Sequence, residues 1–175
     1  MQIVHSRDMK SSGMLYDILK LDSVVYAEEL QGNLKTVKER YEKNKDCLIL
    51  LYEERALIGY AYIVPITKTL ETKIIENDEL YDDNITANDI TEYSKEGNIL
   101  YLMSVVILPE FQNGVATSML ANGIVNFVND KEENGYHIQK TLATTVGDSG
   151  YKFLEKLNFK FKKKLSNGYR VVERK

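Results

Sequence analysis

A change of hydrophobic period within residues 99–128 constrains the fold of this chain more than any other feature. Residues 99–108 are almost all apolar and include three successive β-branched side chains, which is typical of a strand buried on both faces of a sheet. Pro109 ends this strand because it has no N–H to donate to a neighbour. From residue 116 onward, apolar residues recur every three or four positions, which predicts a helix with one buried face.

The turn between this strand and this helix, residues 111–117, contains Gly114 and leads directly into the helix. The first N–H groups of a helix have no partner within it, and the helix dipole adds partial positive charge at the same end. Such a turn predicts an anion site, most often for a phosphate group. Many turns of this kind bind nothing, so the rest of the chain has to decide between the two interpretations.

The remaining pattern predicts a mixed α/β fold. Ser11 or Ser12 is expected to cap a first helix, and Asn33 a second. Residues 21–32 are expected to form a loop or a broken helix. Predicted strands cover Ile3-Val4, 47–52, 56–64 (ended by Pro65), 140–146, 159–165 and 169–172, and a short helix precedes Asn158. This order predicts an α/β fold with a mixed, mostly antiparallel central sheet and helices on both faces.

Composition limits the classes of function. The 175 residues contain no internal repeat and no linker, so we expect a single domain over 1–175. The net charge of −3 does not favour nucleic acid as a partner. No apolar run is long enough for a membrane span, and the N-terminal residues are too polar for a signal peptide. The lone Cys47 excludes an internal disulfide, so a cytoplasmic location is expected. No spacing of His, Cys and carboxylates predicts a metal site.

Residues 67–98 form a long acidic connection between the predicted strands. They hold nine Asp and Glu residues against three Lys residues. Short helices are predicted near 74–81 and 87–93. Two interpretations stay open: a solvated insertion, or a wall that attracts a cationic substrate.

The order of elements, together with two motifs, resembles the GNAT superfamily of acyl-CoA N-acyltransferases over nearly the whole chain. The first motif is residues 106–120, VILPEFQNGVATSML, which matches the family's strand, Pro-Glu-aromatic and glycine turn before a helix. The second and looser motif is residues 153–159, FLEKLNF, which matches the end of the family's last helix.

This resemblance implies an acetyl-CoA site between two splayed central strands. It places the pantetheine arm of the cofactor along the backbone of Val105, Val106 and Ile107, where an amide-rich arm can pair like an added strand. It also assigns the backbone N–H of Val106 as the donor to the oxyanion of the tetrahedral intermediate. The pyrophosphate is expected on the turn formed by Gln112, Asn113, Gly114, Val115, Ala116 and Thr117.

The catalytic groups are less clear from the sequence, because Leu154 and Met103 stand where family members often carry a tyrosine and a glutamate. The phosphate turn is also one residue shorter than the family's pattern. Acyl transfer needs a neutral amine, so some group must take a proton from the ammonium form. Tyr151 is the predicted substitute acid, and Tyr101 is expected on the same face of the sheet as Met103. A carboxylate of the acidic insertion, either Glu92 or Glu96, is a further candidate for relaying the proton through water.

Two functions are therefore expected. The first is an N-acetyltransferase that moves an acetyl group from acetyl-CoA to a primary amine by direct attack in a ternary complex. The amine would belong to a small cationic molecule or to a peptide. The alternative is a CoA-binding module of the same fold with little or no turnover. Small enzymes of this type often pair through sheet edges or helices, so a homodimer also stays an option.

Overall fold

Five α-helices and seven β-strands make up the described parts of the chain. The structure is a computed structural model and describes residues 1–9, 13–77 and 84–175, so the predicted caps Ser11 and Ser12 lie outside the described residues. The helices are α1 Met14–Val25, α2 Leu34–Lys43, α3 Lys68–Glu76, α4 Val115–Glu133 and α5 Asp148–Lys156. The strands are β1 Gln2–His5, β2 Leu48–Glu53, β3 Ala56–Ile66, β4 Asn98–Ile107, β5 Ile138–Thr145, β6 Lys160–Lys164 and β7 Arg170–Arg174.

The strands form one mixed sheet in the order β1-β2-β3-β4-β5-β7-β6. Only β4 and β5 pair in parallel, and every other neighbouring pair is antiparallel. Buried side chains of α1, α2 and α3 pack in one core on one face, and those of α4 and α5 pack in a second core on the other. The predicted mixed, mostly antiparallel sheet with helices on both faces is confirmed.

The helix α1 is longer than the sequence pattern predicted, because it continues to Val25 instead of ending before residue 21. Leu21 and Asp22 keep the helical spacing set by Met14 and Ile18, and all four are buried. A buried aspartate on an apolar helix face is uncommon, because a carboxylate without partners is costly to remove from water. This extra turn brings Asp22 against the sheet.

The strand β3 does not end at Pro65, as the sequence predicted, but continues to Ile66. Successive residues of a strand direct their backbone polar groups to opposite neighbours, so residues two apart face the same neighbour. Ile63 donates its N–H to Cys47 on the β2 side, so Pro65 also faces that side, beyond the end of β2. Its missing N–H therefore breaks no ladder bond, and its carbonyl accepts from the N–H of Thr91.

A bulge in β4 divides the central sheet into a paired half and an open half. The partner of Tyr62 is Ser104 while the partner of Ile63 is Leu102, so Met103 is an extra residue in β4. A bulge bends its strand and increases the local twist. The pairing of β4 with β5 ends at the same level, at Leu102 opposite Ala143, although both strands continue. The two central strands therefore splay, as the resemblance implied.

The acidic connection folds differently from its prediction. Its helix, α3, begins at Lys68 and ends at Glu76, and a 3₁₀ turn covers Ala87–Asp89. The part of the first predicted helix that falls on 78–83 lies outside the described residues.

Candidate functional site

A cavity of about 790 Å³ begins where β4 and β5 separate. Its residues come from α1 and α2 on one side and from the open halves of β4 and β5 on the other. It extends to the turn before α4 and to the start of α5. The residues that line it include Asp22, Tyr26, Arg40, Tyr60, Tyr101, Met103, Ser104, Val105, Val106, Ile107, Gln112, Asn113, Thr117, Thr144, Thr145 and Leu154. The gap between β4 beyond Leu102 and β5 beyond Ala143 is called the slot below.

The hydrogen-bond pattern of β3 and β4 decides which backbone groups face the slot. Leu108 donates its N–H to the carbonyl of Ile58, which makes these two residues a hydrogen-bonded pair of the antiparallel ladder. The register continues without a shift to Val106 opposite Tyr60, so the polar backbone groups of Val106 also face β3. The predicted oxyanion donor, the N–H of Val106, is thus directed away from the slot.

The residues on either side of Val106 have the opposite orientation. The N–H groups of Val105 and Ile107 face the slot, since they alternate with those that bond to β3. The carbonyl of Ile107 already accepts from Nε2 of Gln112 at 2.9 Å. An added strand could therefore bond to both backbone groups of Val105 and to the N–H of Ile107. Across the slot, the buried hydroxyls of Thr144 and Thr145 have no hydrogen-bond partner in the described residues.

The turn before α4 offers fewer amides than the sequence predicted. Gln112 donates its N–H to the carbonyl of Pro109, and Asn113 donates to Oγ1 of Thr117. The first intrahelical hydrogen bond of α4 runs from the N–H of Ser118 to the carbonyl of Gly114. The N–H groups of residues 114–117 therefore have no partner within the helix. The short turn is closed by Asn113 at a φ of 59°, a conformation that asparagine adopts more readily than most residues.

Four polar side chains, called the Asp22 cluster, lie on the α1 side of the cavity. Tyr60 donates its hydroxyl proton to Oδ1 of Asp22 at 2.6 Å. The hydroxyl of Ser104 lies 3.2 Å from that of Tyr60 and 3.1 Å from that of Tyr26. The bulge explains why Ser104 is there, because the extra residue Met103 places both side chains on the same face of β4.

The Asp22 cluster was not found from the sequence. Asp22 lay in a segment predicted as a loop or a broken helix, and strict alternation would have put Ser104 on the opposite face from Met103. One signal was present: Asp22 falls four residues after Ile18, on the apolar face of α1. Burial and the neighbouring Asp22 raise the pKa of Tyr60 well above its ordinary value, so this tyrosine stays protonated and remains a donor.

The other predicted catalytic residues are not brought together. Tyr101 is buried in the cavity on the same face as Met103. Tyr151 lies outside the cavity, with the guanidinium of Arg170 5.0 Å from its ring centre. A hydrogen bond with Glu155 raises the pKa of Tyr151. Glu96 is exposed in the turn before β4, at the end of the strand opposite to the slot.

The described carboxylates of the acidic connection do not form a wall of the cavity. Glu92 is exposed and does not line it. Glu71 is only 3% exposed and forms ion pairs with Lys68 and Lys140. Asp89 accepts from the backbone and side chain of Thr86. Among the described residues of this connection, only Asn84 lines the cavity.

In residues 1–9, 13–77 and 84–175, no group of three or more His, Cys, Asp or Glu side chains could hold a metal ion. None of the helices described there combines the length and apolar character that a membrane span requires.

Comparison with known proteins gave matches among solved structures only. No family model and no curated protein matches the chain. A GNAT-like decarboxylase, GphF, in complex with isobutyryl-CoA is similar with a TM-score of 0.74 and 13% identity, covering 99% of this chain and 98% of that one. The loading GNATL domain of CurA from Lyngbya majuscula has a TM-score of 0.72 and 17% identity, with 98% and 96% covered.

A third similar structure contains a bisubstrate analogue. Naa50 from Arabidopsis thaliana, in complex with the bisubstrate analogue CoA-Ac-MVNAL, has a TM-score of 0.64 and 12% identity, and the match covers 100% of this chain and 99% of that one. At these identities the likeness concerns the fold. Together with the parallel β4–β5 pair and the splay beyond the bulge, the matches show that this chain has a GNAT-like fold along its full length.

Proposed function

We propose that this protein is an acyl-CoA-dependent N-acyltransferase that moves an acetyl group from acetyl-CoA to a primary amine of a small molecule or peptide. The observation that carries the proposal is the slot, an open strand edge that leads to the N-terminus of α4. The amides of a pantetheine arm can pair with Val105 and Ile107 as an added strand. The pyrophosphate would lie on the N–H groups from Gly114 to Thr117, where the helix dipole favours negative charge.

In this arrangement the thioester would lie near the bulge, between the slot and the Asp22 cluster. The N–H of Val105 is the nearest slot-facing donor to the bulge, so it replaces Val106 as the proposed donor to the oxyanion. The amine would approach from the α1 side and attack the carbonyl carbon directly, in a ternary complex. The carbon–sulfur bond then breaks, and the thiolate leaves with the second amine proton.

The cofactor part of the proposal has its own test, by amide hydrogen exchange with and without acetyl-CoA. Binding is expected to slow exchange at Val105 and Ile107, because both N–H groups gain a partner. Val106 is an internal control, since its N–H already faces Tyr60 and gains nothing. Unchanged exchange at Val105 and Ile107 under saturating acetyl-CoA would contradict the placement of the arm.

The turnover part is tested by thiol release with a panel of amines, including phenethylamine, spermidine, free amino acids and short peptides. The alternative, a CoA-binding module with little or no turnover, is favoured by the absence of a tyrosine at Leu154 and of a glutamate at Met103. Protection of Val105 without thiol release from any amine would support that alternative. Malonyl-CoA is included without amine, because two of the similar structures are a GNAT-like decarboxylase and a loading domain.

A further inference from the structure

The direction of each hydrogen bond in the Asp22 cluster follows from the number of protons available. Tyr60 has one hydroxyl proton and donates it to Asp22 at 2.6 Å. Its oxygen can then only accept from Ser104, so the Ser104 proton points to Tyr60. The Ser104 oxygen in turn accepts from Tyr26. The three hydroxyls are therefore all oriented toward one carboxylate.

This orientation leaves the Ser104 oxygen as the entry point for a further proton. A hydroxyl oxygen has two lone pairs, and the bond from Tyr26 occupies one of them. Ser104 is half-buried, lines the cavity and directly precedes Val105, which faces the slot. A group that donates a hydrogen bond to Ser104 would thus lie beside the position proposed for the thioester.

We propose that the Asp22 cluster is a proton wire that takes one proton from the ammonium group of the acceptor and delivers it to Asp22. The inference rests on the proposed acyltransferase function and names the route by which its substrate becomes a nucleophile. It assigns the role that Met103 cannot play. Ser104 would contact the amine, while Tyr60 and Asp22 are positioning residues that act through it.

The proton balance of the step is complete within the protein and its substrates. The ammonium gives a proton to the Ser104 oxygen as the Ser104 proton moves to Tyr60 and the Tyr60 proton moves to Asp22. Asp22 becomes neutral, and the amine nitrogen gains a free electron pair. That pair forms the carbon–nitrogen bond, the sulfur leaves with the carbon–sulfur pair and the second amine proton, and Asp22 returns its proton to solvent.

The surroundings of the cluster are suited to this path. Tyr41 and Arg40 on α2, Tyr62 on β3 and Tyr101 on β4 are the other ionisable groups on the neighbouring elements that line the cavity. Among the described lining residues, Asp22 is the sole carboxylate. Arg40 is the sole cation among them, and its Nε donates to the carbonyl of Ile85. Asp22 is therefore the end of the wire that can accept a proton.

The chemistry of the wire predicts a pH profile that a merely structural cluster would not give. An alkylamine with a pKa near ~10 is about one part in a thousand neutral at pH 7. Without the wire, only that fraction reacts, so log kcat should rise by about one per pH unit up to the pKa of the amine. With the wire, the profile should level off at a much lower pH.

The variants are Asp22→Asn, Tyr60→Phe and Ser104→Ala, with Ser104→Thr as the conservative rescue. The controls are Asp17→Asn, an exposed carboxylate of the same helix, and Tyr93→Phe, a partly buried tyrosine whose hydroxyl donates to the Asp46 carbonyl at 3.4 Å. At pH 7, the three wire variants should lose up to about 1,000-fold in kcat, whereas the loss at pH 9.5 should be below about tenfold. Ser104→Thr and both controls should keep the wild-type profile.

A second readout does not depend on turnover. Infrared difference spectra are recorded on the protein loaded with a non-hydrolysable acetyl-CoA analogue, with and without the fastest amine of the panel, or phenethylamine if none reacts. The proposal expects a protonated-carboxyl band in the wild type that is absent in Asp22→Asn. Tyr60→Phe keeps the carboxylate and should also lose the band, so the test survives if Asp22→Asn does not fold.

The outcomes separate the two proposals. Thiol release with no carboxyl band, and with unchanged pH profiles in the variants, leaves the acyltransferase standing and overturns the wire. A raised KM at every pH with an unchanged kcat profile also overturns it, because Asp22 would then only hold the cation. If neither thiol release nor a carboxyl band is observed, both proposals are overturned. A band that is lost in Tyr60→Phe supports the wire even if the natural amine is absent from the panel.

Discussion

Gly59 on β3 offers a direct test of how closely β3 and β4 have to approach beside the slot. A Cβ atom built on Gly59 would lie 2.8 Å from the carbonyl oxygen of Val106 and 3.2 Å from a side-chain carbon of Ile107. The first of these contacts is with backbone, which cannot move aside as a flexible side chain can. Gly59→Ala should therefore push β4 away from β3 by about half an ångström before the contact becomes ordinary.

Two opposing effects set the size of the change. Overpacking of this kind costs about 1–3 kcal/mol. Replacing glycine in the interior of a strand regains about 0.5–1 kcal/mol, because alanine loses less conformational freedom on folding. The net loss in the free energy of unfolding should be about 1–2 kcal/mol, which for a chain of this length lowers Tm by roughly 2–8 °C. The displaced segment holds Val106 and Ile107, so affinity for acetyl-CoA should fall as well.

The assay is urea unfolding together with calorimetric titration of acetyl-CoA. The m-value should stay unchanged, because the surface exposed on unfolding is the same. Gly114→Ala is the matched control for stability, since its Cβ would meet no atom within 4 Å and its φ of −133° is ordinary. If Gly59→Ala unfolds at the same urea concentration as the wild type, the close approach of β3 and β4 does not require a glycine at this position.

Three further predictions concern other parts of the chain. Gly114→Ala should keep the wild-type Tm but raise the Kd for acetyl-CoA by about tenfold or more, since a methyl group would stand where the pyrophosphate approaches the amides; an unchanged Kd would place the anion elsewhere. Burial alone would raise the pKa of Glu71, but its bonds with Lys140 and Lys68 lower it overall, so this carboxylate stabilises the fold above its unfolded pKa and loses that contribution as the pH falls through the folded value. Glu71→Gln should therefore cost about 3 kcal/mol of unfolding free energy at pH 7 and much less near pH 3, which urea unfolding at both pH values would check. Tyr151→Phe should leave kcat within about twofold, because its ring lies outside the cavity; a large loss in a thiol-release assay would return Tyr151 to the site.

The strand, turn and helix of residues 99–128 could be predicted because each has a local cause. The apolar run, the proline and the change of period appear in the structure as β4, a 3₁₀ turn at Pro109–Phe111 and α4. Asn33 was likewise predicted from local chemistry, and its side chain accepts from the N–H of Thr36 at 2.9 Å. In these places, neighbouring residues decide the structure.

The features that the sequence did not predict depend on contacts between residues that are distant in the sequence. The bulge at Met103 depends on how β4 pairs with β3, and no residue of β4 predicts it alone. Pro65 can remain in a strand because β2 begins at Leu48, opposite Tyr62, and does not extend alongside Pro65. Asp22 is buried because Tyr60, 38 residues away, offers it a hydrogen bond. The Asp22 cluster is built from such long-range contacts, which is why the sequence did not predict it.

The splay of β4 and β5 gives this protein an unpaired strand edge in the middle of its sheet as well as at its margins. The outer strand β6 carries a run of lysines, the usual protection of an edge against pairing with another chain. The inner edge cannot be charged in this way if it is to receive amide groups. Its protection is steric, because a rigid strand of another molecule would have to enter between two strands that still pair at Leu102 and Ala143. Only a thin, flexible chain can reach it, so the geometry that is proposed to admit a ligand also protects this edge from pairing with another protein chain.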